Sequence, residues 1–203
     1  MNNILFDSQE ITPTKVICIG RNYVDHIKEL NNDIPTQPVI FLKPNSAISD
    51  QIILASEETL HYETEICFLI KNNTIEGLGI GLDLTKRAIQ SELKAKGLPW
   101  ERAKAFDHSA VLSDFIPWHG STDQLRLELR INDQLIQSGG VELMIYKPQE
   151  ILAEIQSFMS LEDGDIIMTG TPKGVGTIQT KDVFEAKLYN AEQVLLKRTW
   201  LAN

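Results

Sequence analysis

A chain of 203 residues with 42% hydrophobic and 23% charged side chains has the make-up of one folded domain with a sizeable core, spanning residues 1–203, and argues against disorder as its main state. Its formal charge of −9 argues against a nucleic-acid partner, because phosphate binding needs a surplus of Lys and Arg on one face. No basic-then-apolar signal opens the chain and no uncharged run approaches the ~20 residues of a membrane span, so the expectation is a cytoplasmic protein without a membrane partner.

The apolar runs are short and strand-like. In chain order they cover residues 15–19, 39–42, 52–54, 65–70, 125–131, 165–168, 183–188 and 194–199. A short helical turn fits residues 24–30. Thr85 is positioned to cap a helix over 86–96 that Gly97 closes, and Pro148 to open another with Ile151, Ile155, Phe158 and Met159 on one face. Asn132-Asp133 reads as a turn, and Gly139-Gly140 as a further break. Cys18 and Cys67 sit inside apolar runs and read as core filling. Strands dominate without a βαβ rhythm, so the pattern predicts a β-rich α+β domain.

The strongest chemical signal is His61-Tyr62-Glu63-Thr64-Glu65, which runs directly into ICFLI. On a strand, residues two apart share a face, so Glu63 and Glu65 lie side by side at the edge of a core. Two like charges there call for a cation, and hard oxygen donors suit Mg²⁺ or Mn²⁺ better than Zn²⁺. An exposed acidic edge strand explains the same pattern. Asp83 ends the apolar run 78–82 and is either a third carboxylate for such a site or a helix-capping residue. His26 and Glu29 are i,i+3 neighbours, so the carboxylate can orient the imidazole as a general base; a plain surface pair has the same spacing. The loop TGTPKGVG (169–176) follows a strand and can present backbone N–H groups to an anion, but it lacks the spacing of a nucleotide-binding loop.

Taken in order, GRNYVDHIKEL, PVIFLKPNSAI, HYETEICFLI, GLDLTKRAIQ, KGLPWERAKAFDHSAVLSDFIP and LEDGDIIMTGTPKGVG resemble the fumarylacetoacetate hydrolase family, in its small single-domain branch of acylpyruvate hydrolases and oxaloacetate decarboxylases. The resemblance implies an α+β fold with a rolled mixed sheet of the family's C-terminal domain type, assembled as a homodimer. It implies Glu63, Glu65 and Asp83 as ligands of Mg²⁺ or Mn²⁺, and His26 with Glu29 as the water-activating pair. Lys104 matches the family's active-site lysine, and Arg21, Gln90 and Thr171 match positions near the substrate. His61 is assigned to the surroundings of the metal, not to its ligands. The family's D-x-T-x-R-D-x-Q pattern is broken at Ala88, which implies a local change in packing. Residues 30–37 match a lid.

These expectations point to a metal-dependent hydrolase that cleaves a C–C bond in acylpyruvates, a class of 2-oxo acid. Oxaloacetate decarboxylation and oxaloacetate keto–enol tautomerisation are the alternatives on the same site, since all three pass through a pyruvate-like enolate. A noncatalytic protein that binds a metal and a 2-oxo acid is the alternative of another class; simple chelation would not need the general base.

Overall fold

The computed structural model describes residues 1–30, 33–54 and 59–203. Asn31 and Asn32 of the expected lid lie outside these residues.

The main sheet is mixed. Its order is Val39–Pro44, Lys15–Gly20, Ile166–Met168, Thr64–Lys71, Thr74–Asp83, Ala110–Leu112 and Ile48–Ser49, with Ile116–Pro117 also paired to Thr74–Asp83. Lys15–Gly20 runs parallel to Ile166–Met168, and Ile48–Ser49 parallel to Ala110–Leu112; the other pairs are antiparallel. A second, four-stranded antiparallel sheet has the order Gln134–Gly140, Leu125–Ile131, Val183–Asn190, Gln193–Leu201. With four short α-helices among the described residues, this is the expected β-rich α+β fold.

The continuous apolar runs follow from a main sheet covered on both faces. Side chains alternate along a strand. Ile17, Ile66, Phe68, Ile70, Ile80 and Leu82 therefore pack on one face with Leu125, Leu127, Leu129 and Phe184 of the second sheet. Val16, Cys18, Cys67, Leu69 and Met168 project from the other face and pack with Leu112 and Phe115. Both cysteines are free and buried there, as core filling requires.

Glu63 and Glu65 carry the same parity as Cys67 and Leu69, so they continue this second face beyond its apolar part. The neighbouring strand matches it. Gly77, Gly79 and Gly81 leave room for Phe6, Phe115 and the Cys67–Met168 contact, and Asp83 ends the stripe. The three acids thus stand where the second apolar face runs out.

Several local expectations fail. Residues 52–54 form no strand: Ile52 makes one isolated bridge to Ala202. Thr85 does not cap the following helix, Arg87–Ala95, whose N-cap is Lys86 without a side-chain cap. Its hydroxyl instead points back to the carbonyl of Asp83 and accepts from Lys104. Gly139-Gly140 does not break the chain but ends the strand Gln134–Gly140. In the helix Pro148–Phe158, Ile151, Leu152 and Ile155 make the buried face, while Phe158 is exposed. Asn132 and Asp133 do form a tight turn, both with left-handed backbone.

Candidate functional site

Glu63 sits directly across from Asp83, whose N–H donates to the Glu63 carbonyl at 2.8 Å, and Glu65 faces Gly81 two residues along. All three carboxylates are buried, at 6%, 2% and 1% exposure for Glu63, Glu65 and Asp83. Each offers an oxygen within 4.8 Å of the others. An acidic edge strand open to water is therefore ruled out.

Cations meet two of the three. Lys104, at the end of the helix Glu101–Lys104, donates to Asp83 Oδ2 at 2.7 Å, Glu63 Oε2 at 2.9 Å and Thr85 Oγ1 at 2.6 Å. Arg87 joins Glu63 Oε1 through Nη2 and Gln90 Oε1 through Nη1, the latter at 2.7 Å. Fully buried Lys43 lies 2.8 Å from Asp83 Oδ1 and also donates to the Lys104 carbonyl. Glu65 differs. Among the described residues it has no ion pair, and its Oε2 accepts the N–H of Gly170 at 2.7 Å.

This asymmetry sets the electrostatics. Burial alone would raise Glu63, but Lys104 and Arg87 outweigh it and hold the carboxyl well below the usual range. Glu65 is pushed well above that range by burial, then by the charges of Asp83 and Glu63, with the Gly170 N–H opposing only in part. Burial disfavours the Lys104 cation, yet Asp83 and Glu63 raise its pKa overall, so it is charged at neutral pH. Three converging hard-oxygen donors, one held above its normal pKa by burial and then by its neighbours' charge, fit a divalent cation. Contact with a lysine on one side of a carboxylate does not prevent this, because each oxygen has two lone pairs.

The base pair stands beside the acids. In the helix Val24–Glu29, His26 Nδ1 lies 3.2 Å from Glu29 Oε2. Glu29 is fixed in turn by the N–H of Gly174, at 3.0 Å to Oε1 and 3.3 Å to Oε2. The Gly-rich loop therefore does present N–H groups to anions, and the anions are the protein's own Glu65 and Glu29. Gly170 (φ 97°) and Gly174 (φ 101°) need the left-handed backbone that glycine adopts without strain.

A small pocket of about 40 Å³ opens next to these groups. Of the predicted site residues, Arg21, His26, Glu63, Gln90 and Lys104 line it, whereas Glu65 and Asp83 lie deeper. Thr171 is not among the lining residues; its hydroxyl meets Gln137 Nε2 at 2.8 Å. Burial, and then the charge of Arg87, lower the pKa of His61, with Glu63 opposing.

Sequence reasoning missed Lys43, Arg87, Asn22 and Gln137. Asn22 ties the chain before the His26 helix to the backbone at Thr169 (2.9 Å) and Tyr146 (3.0 Å). Gln137 Oε1 accepts the N–H of Thr64, between the two glutamates, at 3.1 Å. Arg87 had a local signal, four residues after Asp83 on a helix facing the acids. The pairings of the other three appear only in three dimensions.

A sheet-embedded carboxylate trio with a buried lysine and an adjacent His–Glu pair defines an enzyme-like, metal-ready centre, and residues 15–197 match the family described as fumarylacetoacetate (FAA) hydrolase C-terminal. The chain belongs to that family. It is 40% identical over 199 residues to "Oxaloacetate tautomerase oaa1, mitochondrial" of Schizosaccharomyces pombe, covering 88% of this chain and 90% of the relative. It is 38% identical over 187 residues to "Oxaloacetate tautomerase YcgM" of Escherichia coli, covering 83% and 85%. The structure of fumarylpyruvate hydrolase from Pseudomonas aeruginosa in complex with Mn²⁺ and pyruvate superposes with a TM-score of 0.89 at 25% identity, covering 98% of this chain and 94% of that one. These names favour the oxaloacetate reading over acylpyruvate hydrolysis. Among the described residues no helix is long and apolar enough to cross a membrane.

Proposed function

We propose that this protein is a divalent-metal-dependent oxaloacetate keto–enol tautomerase. The observation that carries the reading is the convergence, beside one pocket, of three buried carboxylate oxygens, a charged lysine and a His–Glu pair. The names of the relatives select oxaloacetate from the substrates such a centre can take.

Glu63, Glu65 and Asp83 would hold Mg²⁺ or Mn²⁺, which when bound supplies positive charge beside a 2-oxo acid and so acidifies its C3–H. Tautomerisation moves one proton: it leaves C3 as the C2–C3 double bond forms, and the 2-oxygen gains one. With its Nδ1 turned to Glu29, His26 has Nε2 left to exchange the C3 proton, and Glu29 stabilises the imidazolium between the two transfers. Lys104, kept cationic by Asp83 and Glu63, provides a fixed ammonium for the oxygen on which negative charge develops. Gln90 is held by Arg87 at the pocket wall.

Acylpyruvate hydrolysis is the second reading, favoured by the same His26–Glu29 pair, which can equally draw a proton from water, and by the fumarylpyruvate hydrolase likeness. Decarboxylation of oxaloacetate breaks the C3–C4 bond, releases CO₂ and leaves the pyruvate enolate, which then takes up a proton at C3; it needs neither removal of a C3 proton nor a nucleophilic water. Initial rates on enol-oxaloacetate, keto-oxaloacetate, acetylpyruvate and fumarylpyruvate, each with Mg²⁺ or Mn²⁺, separate the readings. The proposal expects tautomerisation to be the fastest reaction; faster release of a carboxylic acid from either acylpyruvate would reverse the order. The enzyme is further proposed to act as a homodimer.

A further inference from the structure

The Gly-rich loop 169–176 touches the chain around Glu63 and Glu65 at both of its ends. The Thr169 hydroxyl donates to the Ile66 carbonyl at 2.9 Å, and Gly176 pairs with Tyr62. Its middle hangs on one side chain. Among the described residues, Gln137 is the only hydrogen-bond partner outside the loop for Thr171 and Pro172: its Nε2 donates to Thr171 Oγ1 and to the Pro172 carbonyl, each at 2.8 Å. The Oε1 of the same amide accepts the N–H of Thr64 at 3.1 Å.

Gln137 is an unusual residue for its place. It stands opposite Leu129 on the edge strand Gln134–Gly140, and it is buried on the inward face that Leu129 helps to make apolar. A buried amide is costly unless its donors and its acceptor are paired. Here both N–H groups and the oxygen are paired, and every partner belongs either to the loop or to the strand of the two glutamates. Packing repeats the pattern. A Cβ on Gly174 would stand 3.2 Å from Gln137 Cγ, and one on Gly139 would stand 2.7 Å from Pro172 Cβ, so loop and edge strand are in direct contact.

The two residues that Gln137 holds lie between two grips on carboxylates of the site. Gly170, just before Thr171, donates to Glu65, and Gly174, two residues after Pro172, donates to Glu29. A shift of the loop's middle therefore moves both N–H groups. We propose that Gln137 is a positioning residue: it fixes segment 170–174 against the strand of Glu63 and Glu65, and so sets the His26–Glu29 pair in register with the three carboxylates. The inference deepens the tautomerase reading and rests on it for what His26 and the carboxylates do. Gln137 itself does not line the pocket.

Gln137→Met keeps the length of the side chain and removes its hydrogen bonds. In Mg²⁺-loaded protein, amide exchange followed by NMR should quicken by about tenfold more at Gly170 and Gly174 than at Leu127, whose core strand reports any loss of overall stability. The kcat for oxaloacetate tautomerisation should fall about 10–100-fold, with KM changed by less than about threefold. In Glu29→Gln protein the same substitution should lower kcat by less than about threefold, because its effect runs through Glu29. Mg²⁺ affinity, measured by calorimetry, should weaken about 3–10-fold in both backgrounds, below the 10–100-fold typical of groups that bond directly to metal ligands. Thr171→Val removes a single bond of the clamp and should cost about 2–10-fold in kcat, a loss that again vanishes with Glu29→Gln; it decides the matter if Gln137→Met does not fold. Equal losses of kcat with and without Glu29, equal quickening at Gly174 and Leu127, or unchanged Mg²⁺ affinity would overturn the proposal. Wild-type protein that does not tautomerise oxaloacetate would overturn the proposed reaction, while selective exchange at Gly174 with weaker Mg²⁺ binding in Gln137→Met would leave the positioning role standing.

Discussion

Glu65→Gln should stabilise the metal-free protein, although it removes a proposed ligand. In the folded chain the Glu65 carboxyl is held well above its ordinary 4.5 by burial and by Asp83 and Glu63. Because the folded value is the higher one, the favourable protonated state is fully present below 4.5 and is lost as pH rises through the folded value. A buried charge left without a counterion costs about 3–5 kcal/mol, and the lower end applies here because Glu65 keeps the Gly170 N–H, so about 3 kcal/mol is expected. Glutamine stays neutral, and its amide oxygen can still accept the Gly170 N–H. At pH 7 in EDTA the variant should melt roughly 6–12 °C above wild type, taking about 2–4 °C per kcal/mol for a chain of this size. The difference should shrink as pH falls toward 4.5. His61, whose pKa is lowered by burial, contributes in the opposite sense below its ordinary 6.5, but equally in both proteins, so the difference between them isolates Glu65. Saturating Mg²⁺ or Mn²⁺ should raise wild type and leave the variant nearly unmoved. Thermal melts from pH 5 to 8, with and without metal, measure all of this. A variant less stable than wild type in EDTA at pH 7, or equal metal-induced shifts in both, would refute the reasoning.

Glu29→Gln should cut oxaloacetate tautomerisation by about 10²–10⁴-fold and metal-dependent decarboxylation by less than about tenfold, since only the former needs the oriented base; parallel rate assays on one preparation check it. Gly174→Ala should act on the same pair from the loop side. A Cβ there would stand 2.3 Å from the Ile136 carbonyl at φ 101°, so denaturant melts should show a loss of about 1–3 kcal/mol, and turnover should fall toward that of Glu29→Gln. Lys43→Met removes a fully buried cation from Asp83 and should destabilise the metal-free protein by about 3–5 kcal/mol in urea titrations.

The parts of this molecule legible in the sequence are those governed by local rules. Period-two alternation places Glu63 and Glu65 on one face, i,i+3 spacing joins His26 to Glu29, and Pro148 opens a helix. The family resemblance added Lys104, which a lone Lys in AKAF could not reveal. Across-sheet pairing escaped sequence reasoning. That Asp83 faces Glu63, that Lys43 lies under Asp83, and that Gly170 and Gly174 serve Glu65 and Glu29 depend on register between segments as much as 145 residues apart. Thr85 was misjudged for the same reason. As a local residue it is a good helix cap, but its hydroxyl is taken by Lys104, a partner the nearby sequence does not show.

The most direct measurement of the central claim follows the hydrogens at C3 of oxaloacetate in D₂O by NMR, with pyruvate formation recorded in the same spectra. A tautomerase centre should accelerate exchange of C3 hydrogen for deuterium only when Mg²⁺ or Mn²⁺ is present, with deuterated oxaloacetate accumulating well ahead of pyruvate. Asp83→Asn should abolish the acceleration. Pyruvate appearing as fast as deuterium enters C3 would mark a decarboxylase, and exchange no faster than in protein-free buffer would contradict the account.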